Sequence, residues 1–329
     1  MLNPYLKLNP KIFDSDVEKK ATRDGYGAGI VELGTQNKDV VALTGDLSES
    51  TRTDEFAKKF PKRFFEAGVA EQNMAAVAAG LAKEGKIPFI SSYATFSPGK
   101  NWETIRTTII YNQANVKIAG HHAGIMTGPD GATHQATEDI AITRPWPGIR
   151  VFVPCDAIEA RKATVEAGKL NGPVYLRFSR DKSPIITTEQ TPFELGRVQT
   201  FWTSENPQVS IFATGYILYY ALLAAVELEE EGIQTLVLNV ATIKPADEKG
   251  ITSAVKATGC AVTVEDHQVA GGLGGLIAEI LAKNMPTPIE FIGLQDTFAE
   301  SGTPSELIEK YGLDKDSIKA AVKKVISRK

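Results

Sequence analysis

Phe64-Phe65-Glu66-Ala67-Gly68-Val69-Ala70-Glu71-Gln72-Asn73-Met74 is the stretch on which the reading of this chain turns. Residues 63–66 are few and include two aromatics, which predicts a strand. Gly68 lets the backbone turn sharply. From Met74 to Ala82 nearly every residue is Ala, Val, Leu or Gly, so the helix is apolar on all sides and expected to be buried. Glu71 and Gln72 fall in its first turn, where a carboxylate meets the positive end of the helix dipole. Glu71 has two readings. It stabilises the helix start, as acidic first turns commonly do. Alternatively it is a carboxylate that binds a protonated ring nitrogen, because an acid entering a buried helix is costly to desolvate and needs a partner.

Working outward, the same strand-then-helix unit repeats. Strands are expected at 39–44, 87–92, 116–119, 151–154 and 174–178. Helices are expected from 15 to 33 with Gly34 as the stop, and at 54–60, 102–111 and 157–167. Residues 120–135 are too rich in Gly, Pro and Asp for regular structure. A second series has strands at 209–213, 235–240, 260–264 and 288–292, with helices at 218–231, 276–282, 305–311 and 315–327. This predicts an α/β protein of two doubly wound domains with mainly parallel sheets. The first domain covers 1–185 and includes an arm at 1–14, whose apolar residues suit docking on a neighbouring domain or chain. Residues 186–206 read as a linker and 207–329 as a smaller second domain.

The chain has 329 residues and a net charge of −4, which offers no general attraction for nucleic acid or an anionic membrane. No stretch is long and apolar enough to span a bilayer, and residues 1–14 do not read as a signal peptide. Cys155 and Cys260 lie far apart and read as buried structural thiols. That fits a reducing compartment, so the expected location is cytoplasmic.

Ligands of parallel sheets bind beyond the carboxyl ends of strands. The residues expected there include Asp46, Leu47, Ser50, Glu71, Phe96, His121, His122, Asp130, His134 and Arg180. Three of the four histidines, His121, His122 and His134, share one expected loop with Asp130. Proton transfer or hydroxyl and anion binding suits them. A zinc site lacks a completing ligand set, so no metal site is expected in this chain. Arg23, Ser50 and Arg180 suit a phosphate held by charge-assisted bonds, although each arginine alone reads equally as a solvated ion pair. Gly271-Gly272-Leu273-Gly274-Gly275 precedes a helix without the dinucleotide-binding spacing, and close strand–helix packing accounts for it.

Three stretches resemble transketolase: Gly68-Val69-Ala70-Glu71-Gln72-Asn73-Met74, Gly128-Pro129-Asp130-Gly131-Ala132-Thr133-His134-Gln135 and Thr263-Val264-Glu265-Asp266-His267. Ile243-Lys244-Pro245 and Ser301-Gly302 continue the match in order. The resemblance covers the carboxyl-terminal portion of that family, a pyrimidine-binding domain and a smaller C-terminal domain. It implies one subunit of a split, thiamine-diphosphate-dependent transketolase of the pentose phosphate pathway. The implied reaction moves a two-carbon ketol unit between ketose and aldose phosphates. The partner would be an N-terminal subunit carrying the diphosphate and its divalent metal, Mg or Ca, in a heterotetramer with self-association of this chain. Glu71 would bind N1′ of the aminopyrimidine, with Phe96 and Trp102 against the ring and Asp46 and Leu47 bordering it. Gly99 stands about where the family has a further aromatic. Asp130, His134 and His122 would contact the substrate, and Arg23, Ser50 and Arg180 its phosphate. The β subunit of a 2-oxo acid dehydrogenase, half of a deoxyxylulose phosphate synthase and a non-catalytic scaffold are the other readings.

Overall fold

Short apolar runs between helices can be buried on both faces only as parallel strands with helical cover. A computed structural model describes residues 1–329. In chain order the first half holds β1 (Lys19–Ala21), α1 (Thr22–Gln36), β2 (Val40–Thr44), α2 (Ser48–Thr51), α3 (Asp54–Lys59), β3 (Phe64–Glu66) and α4 (Glu71–Lys83). It continues with β4 (Ile87–Tyr93), α5 (Trp102–Thr104), β5 (Lys117–His121), α6 (Asp139–Thr143), β6 (Arg150–Phe152), α7 (Ala157–Lys169), β7 (Val174–Arg177) and β8 (Lys182–Pro184). The second half holds β9 (Gln199–Trp202), β10 (Val209–Ala213), α8 (Leu218–Glu230), β11 (Thr235–Asn239), β12 (Thr242–Lys244), α9 (Glu248–Thr258), β13 (Ala261–Gln268), α10 (Leu273–Asn284), β14 (Ile289–Leu294), α11 (Pro304–Lys310) and α12 (Lys315–Ile326).

Seven strands form the first sheet in the order β12-β6-β7-β5-β4-β2-β3, and five form the second in the order β14-β13-β10-β11-β9. Both are parallel except at one edge, where β12 and β9 run antiparallel to their neighbours. This is the mixed α/β architecture the alternating pattern predicts.

The structure departs from the sequence reading at several elements. The first helix begins at Thr22 rather than after Ser15, because Lys19–Ala21 pairs with Lys182–Pro184. It also runs through Gly34, where a Cβ would lie 2.5 Å from the Phe56 ring, so this glycine allows close packing rather than a stop. Residues 186–206 contain β9, whose Phe201 is fully buried, so this stretch carries an edge strand of the second sheet. The expected helix at 102–111 is α5 followed by a widened π turn over Ile105–Ile110. Helix α4 is not buried all round: Met74, Ala75, Ala78 and Ala79 are buried, whereas Val77 is 44% exposed. Its 3.6-residue period turns one apolar stripe onto the sheet and leaves the opposite stripe uncovered.

The halves are tied together. Strand β12 follows the second domain's β11 yet pairs with β6 of the first sheet. The amino-terminal arm crosses to the second domain, where Asn3 N–H donates to the Phe201 carbonyl at 2.9 Å and Leu8 and Ile12 are buried. Helix α9 has no counterpart in the sequence reading; Asp247 caps it by accepting from Gly250 N–H, with Ile251, Ala254, Val255 and Thr258 buried. Cys155 and Cys260 are buried free thiols. No helix is long and apolar enough to cross a membrane.

Candidate active site

Glu71 opens α4 immediately beyond the turn at Gly68, whose φ of +67° is a left-handed value that suits glycine. Its side chain is 2% exposed, and Oε2 accepts from Lys100 Nζ at 3.1 Å. Lys100 itself is half-exposed. Asn101 Nδ2 donates to the Glu71 carbonyl at 3.0 Å, so the turn over Thr95–Lys100 is held against the helix start. Glu66 braces the neighbouring loops, with Oε1 accepting from Asp46 N–H at 2.7 Å and Gly68 N–H at 2.9 Å. Asp46 is exposed, Leu47 is half-buried, and both follow β2 at the same sheet edge. Lys100 and Glu66 were not legible as site residues, because each is placed by contact across the fold rather than by spacing.

Beside this edge four rings gather. Tyr93, ending β4, stacks on His122 at 3.9 Å between centroids and on Phe96 at 5.8 Å. His134 meets the edges of Phe96 at 5.4 Å and Tyr93 at 6.0 Å. Tyr93 is thus a further aromatic of this cluster, and Gly99 lies against the Ala94 carbonyl, 3.2 Å from where its Cβ would be. Trp102 does not pair with these four rings. Its ring stacks on Trp146 at 5.4 Å, and Nε1 donates to the Ile142 carbonyl at 2.9 Å. His121 also departs from the loop expected for it. It ends β5, is fully buried, and packs against Tyr26 and Phe178.

Arg23, in the first turn of α1, donates from Nη1 to the Ser50 carbonyl at 2.9 Å. Arg180 donates from Nη1 to the Thr127 carbonyl at 2.6 Å and lies 3.5 Å from Asp130. Arg52 joins them, its Nε donating to Asp24 at 2.7 Å; it was missed because nothing in its local sequence marks it. Burial, followed by the charges of Arg23 and Arg180, pushes the His122 imidazole down to about 3. His122 is therefore a neutral ring at ordinary pH, and its Nδ1 is buried without a protein partner. The fold thus brings together Arg23, Ser50, Phe96, His122, Asp130, His134 and Arg180, with Glu71 and Lys100 along the same strand ends. No group of three or more His, Cys, Asp and Glu side chains is arranged to hold a metal.

The family model for the transketolase pyrimidine-binding domain matches residues 18–185, and that for the transketolase C-terminal domain matches residues 201–318. The chain belongs to the transketolase family. It is 45% identical over 302 residues to a protein of Methanocaldococcus jannaschii provisionally named a transketolase C-terminal section, covering 91% of this chain and 94% of that protein. It is 38% identical over 317 residues to a 6-deoxy-6-sulfo-D-fructose transketolase subunit of Clostridium sp., covering 96% of this chain and 98% of that subunit. A solved structure described as a split gene transketolase, inactive beta4 tetramer, superposes with a TM-score of 0.87 at 45% identity, covering 93% of this chain and 98% of that chain. As a transketolase-family chain it carries the pyrimidine-binding and C-terminal domains, and thiamine diphosphate is the cofactor that family implies.

Proposed function

We propose that this chain is one subunit of a two-chain transketolase that moves a two-carbon ketol unit from a ketose phosphate to an aldose phosphate. The observation that carries the reading is Glu71, a carboxylate 2% exposed at a helix start, beside an aromatic and guanidinium cluster on the same sheet edge. The residues fit the pyrimidine half of thiamine diphosphate. A buried carboxylate needs a cationic or hydrogen-bonding partner, and the protein's own is Lys100, half-exposed on a flexible stem. A protonated ring nitrogen can take its place, with Phe96 offering an apolar face. The cofactor supplies the nucleophilic carbon that accepts the two-carbon unit.

The chain's own residues then have separate tasks. Glu71 holds a proton at the pyrimidine N1′ position. Asp46 and Leu47 border that pocket. His122 offers its unpartnered Nδ1 to a substrate hydroxyl, and His134 and Asp130 line the same space. Arg23 and Arg180, with Ser50 beside them, grip the phosphate through charge-assisted bonds. The diphosphate and a divalent metal, Mg or Ca, fall to an N-terminal partner subunit. Two copies of each chain form the working assembly. The names of the relatives as a section and a subunit support a two-chain enzyme, and the sulfonated ketose in the name of one of them is a donor to try beside phosphorylated ketoses.

The test is ketol transfer by the chain assembled with its N-terminal partner, using xylulose 5-phosphate as donor and ribose 5-phosphate as acceptor. Turnover of these with no turnover of pyruvate supports the reading. Turnover of pyruvate in place of the ketose phosphate overturns it.

A further inference from the structure

The second domain contributes none of the side chains assigned above to cofactor or substrate, yet it backs the loops of the site, and one of its contacts there is a buried carboxylate. Strand β13 carries Glu265-Asp266-His267 to the boundary with the first domain, where Gln268 N–H donates to the Thr137 carbonyl at 2.7 Å. Asp266 is 2% exposed. Its Oδ1 accepts from Ile125 N–H at 3.0 Å, and its Oδ2 accepts from the Tyr216 hydroxyl at 2.6 Å. Its carbonyl accepts from Arg177 Nη2 at 2.7 Å, and Arg177 is in turn paired with Asp139 at 2.9 Å.

Ile125 lies within the loop that supplies the site. His122 precedes it, with a left-handed φ of +53°, and the Thr127 hydroxyl donates back to the His122 carbonyl at 2.6 Å. The Thr127 carbonyl is the group that holds Arg180. Gly124 is pressed so close to the carboxylate that a Cβ there would fall 1.8 Å from Asp266 Oδ2. The loop is therefore seated on Asp266, with a ring that faces the substrate at one end and the anchor of a phosphate-gripping arginine at the other. The next loop is backed by the same domain: Gln135 Nε2 donates to the Glu300 carbonyl at 3.1 Å.

We propose that Asp266 is a positioning residue of the second domain, which holds the His122–Thr127 loop in the geometry that binds the donor. This rests on the site assignment under Proposed function. Asp266 acts through the backbone of Ile125 and touches no reacting atom. It governs substrate binding and leaves the cofactor carboxylate alone, because Glu71 and Phe96 belong to other elements.

Two measurements test it. In the assembled enzyme Asp266→Asn keeps the shape but turns one accepting oxygen into an NH2 donor and removes the charge, so the Ile125 and Tyr216 bonds cannot both persist as they stand and the donor KM rises about tenfold. The apparent affinity for thiamine diphosphate stays within about twofold, since Glu71 lies outside this hydrogen-bonded loop. A folded variant with unchanged donor KM, or with KM and cofactor affinity equally impaired, overturns the proposal. Should Asp266→Asn fail to fold, Tyr216→Phe removes one donor only and is expected to raise KM about threefold; no rise overturns it. Amide hydrogen exchange of residues 122–127 in the chain by itself reads the same seating without catalysis. Exchange in this loop faster in the variant than in wild type, with α4 unchanged, supports the proposal even if the ketol-transfer reading fails. Equal exchange refutes it even if that reading holds.

Discussion

Replacing Glu71 with glutamine preserves the size of the side chain and removes one charge from a position 2% exposed to solvent. The fold should tolerate this. The lost ion pair has Lys100 half-exposed as its other member, and such pairs are worth about 0–1 kcal/mol. The glutamine oxygen can still accept from Lys100 Nζ. A change of that size moves the melting temperature by no more than about 4 °C in a chain of this length. Catalysis should not tolerate it. A neutral amide cannot hold a proton on the cofactor ring, and a positioned acid–base group contributes about a hundredfold to ten-thousandfold to rate. Melting of the chain by calorimetry, with ketol transfer by the assembled enzyme at saturating thiamine diphosphate, separates the two effects. The expected result is a folded protein with turnover down about a thousandfold. Turnover within about tenfold of wild type would refute the role given to Glu71, because an acid–base group of that standing cannot be lost so cheaply.

Three further outcomes follow from particular contacts. Arg180→Ala should raise KM for a phosphorylated donor about 10- to 100-fold, the worth of one or two lost charge-assisted bonds, and leave an unphosphorylated donor nearly unchanged; paired initial-rate assays decide. Gly124→Ala, at φ +80° and with its new methyl group driven onto Asp266, should destabilise the chain by more than about 2 kcal/mol in urea unfolding. Glu159 is buried, and desolvation followed by the charge of Asp156 pushes its carboxyl up to about 7 from an ordinary value of 4.5. A carboxyl whose folded value is raised stabilises below about pH 4.5 and loses that contribution as pH rises through 7, here up to about 3 kcal/mol. The stability advantage of wild type over Glu159→Gln should therefore shrink between pH 5 and 8, measured by unfolding at each pH.

The sequence disclosed most of the fold because each strand of the parallel sheets is a short apolar run, and each helix between them has its own caps or stripe. Where it misled, two local signals competed. Gly34 resembled a helix stop, but α1 passes so close to Phe56 and Phe60 that only glycine fits. Val198 to Trp202 sits among Pro, Thr and Glu residues and looked like linker, whereas the pairing of β9 with β11 decides its state. Helix α9 was overlooked although Asp247 and the spacing of Ile251, Ala254, Val255 and Thr258 mark it.

The candidate residues that the fold gathers were legible where they follow a strand, as with Glu71, His122, His134 and the arginines. Partners that meet across the fold were not legible. Trp102, expected as a pocket aromatic, is half-buried and meets Trp146 and the Ile142 carbonyl, which its local sequence does not mark. Tyr93 joins the rings because β4 pairs it with His121, next to His122. Lys100 reaches Glu71 from a turn 29 residues away in sequence. Composition marks α4 as apolar on all sides and so predicts full burial; which stripe faces the sheet and which stays uncovered is decided only by the packing of α4 on β4.

The central claim is that this chain supplies half of a transketolase active site. The direct test is thiamine diphosphate binding and xylulose 5-phosphate turnover, measured for the chain alone and again with the N-terminal partner proposed for it. Turnover is expected with the partner and none without it. Full turnover by the chain alone, or none by the assembled pair with cofactor bound, would contradict the claim.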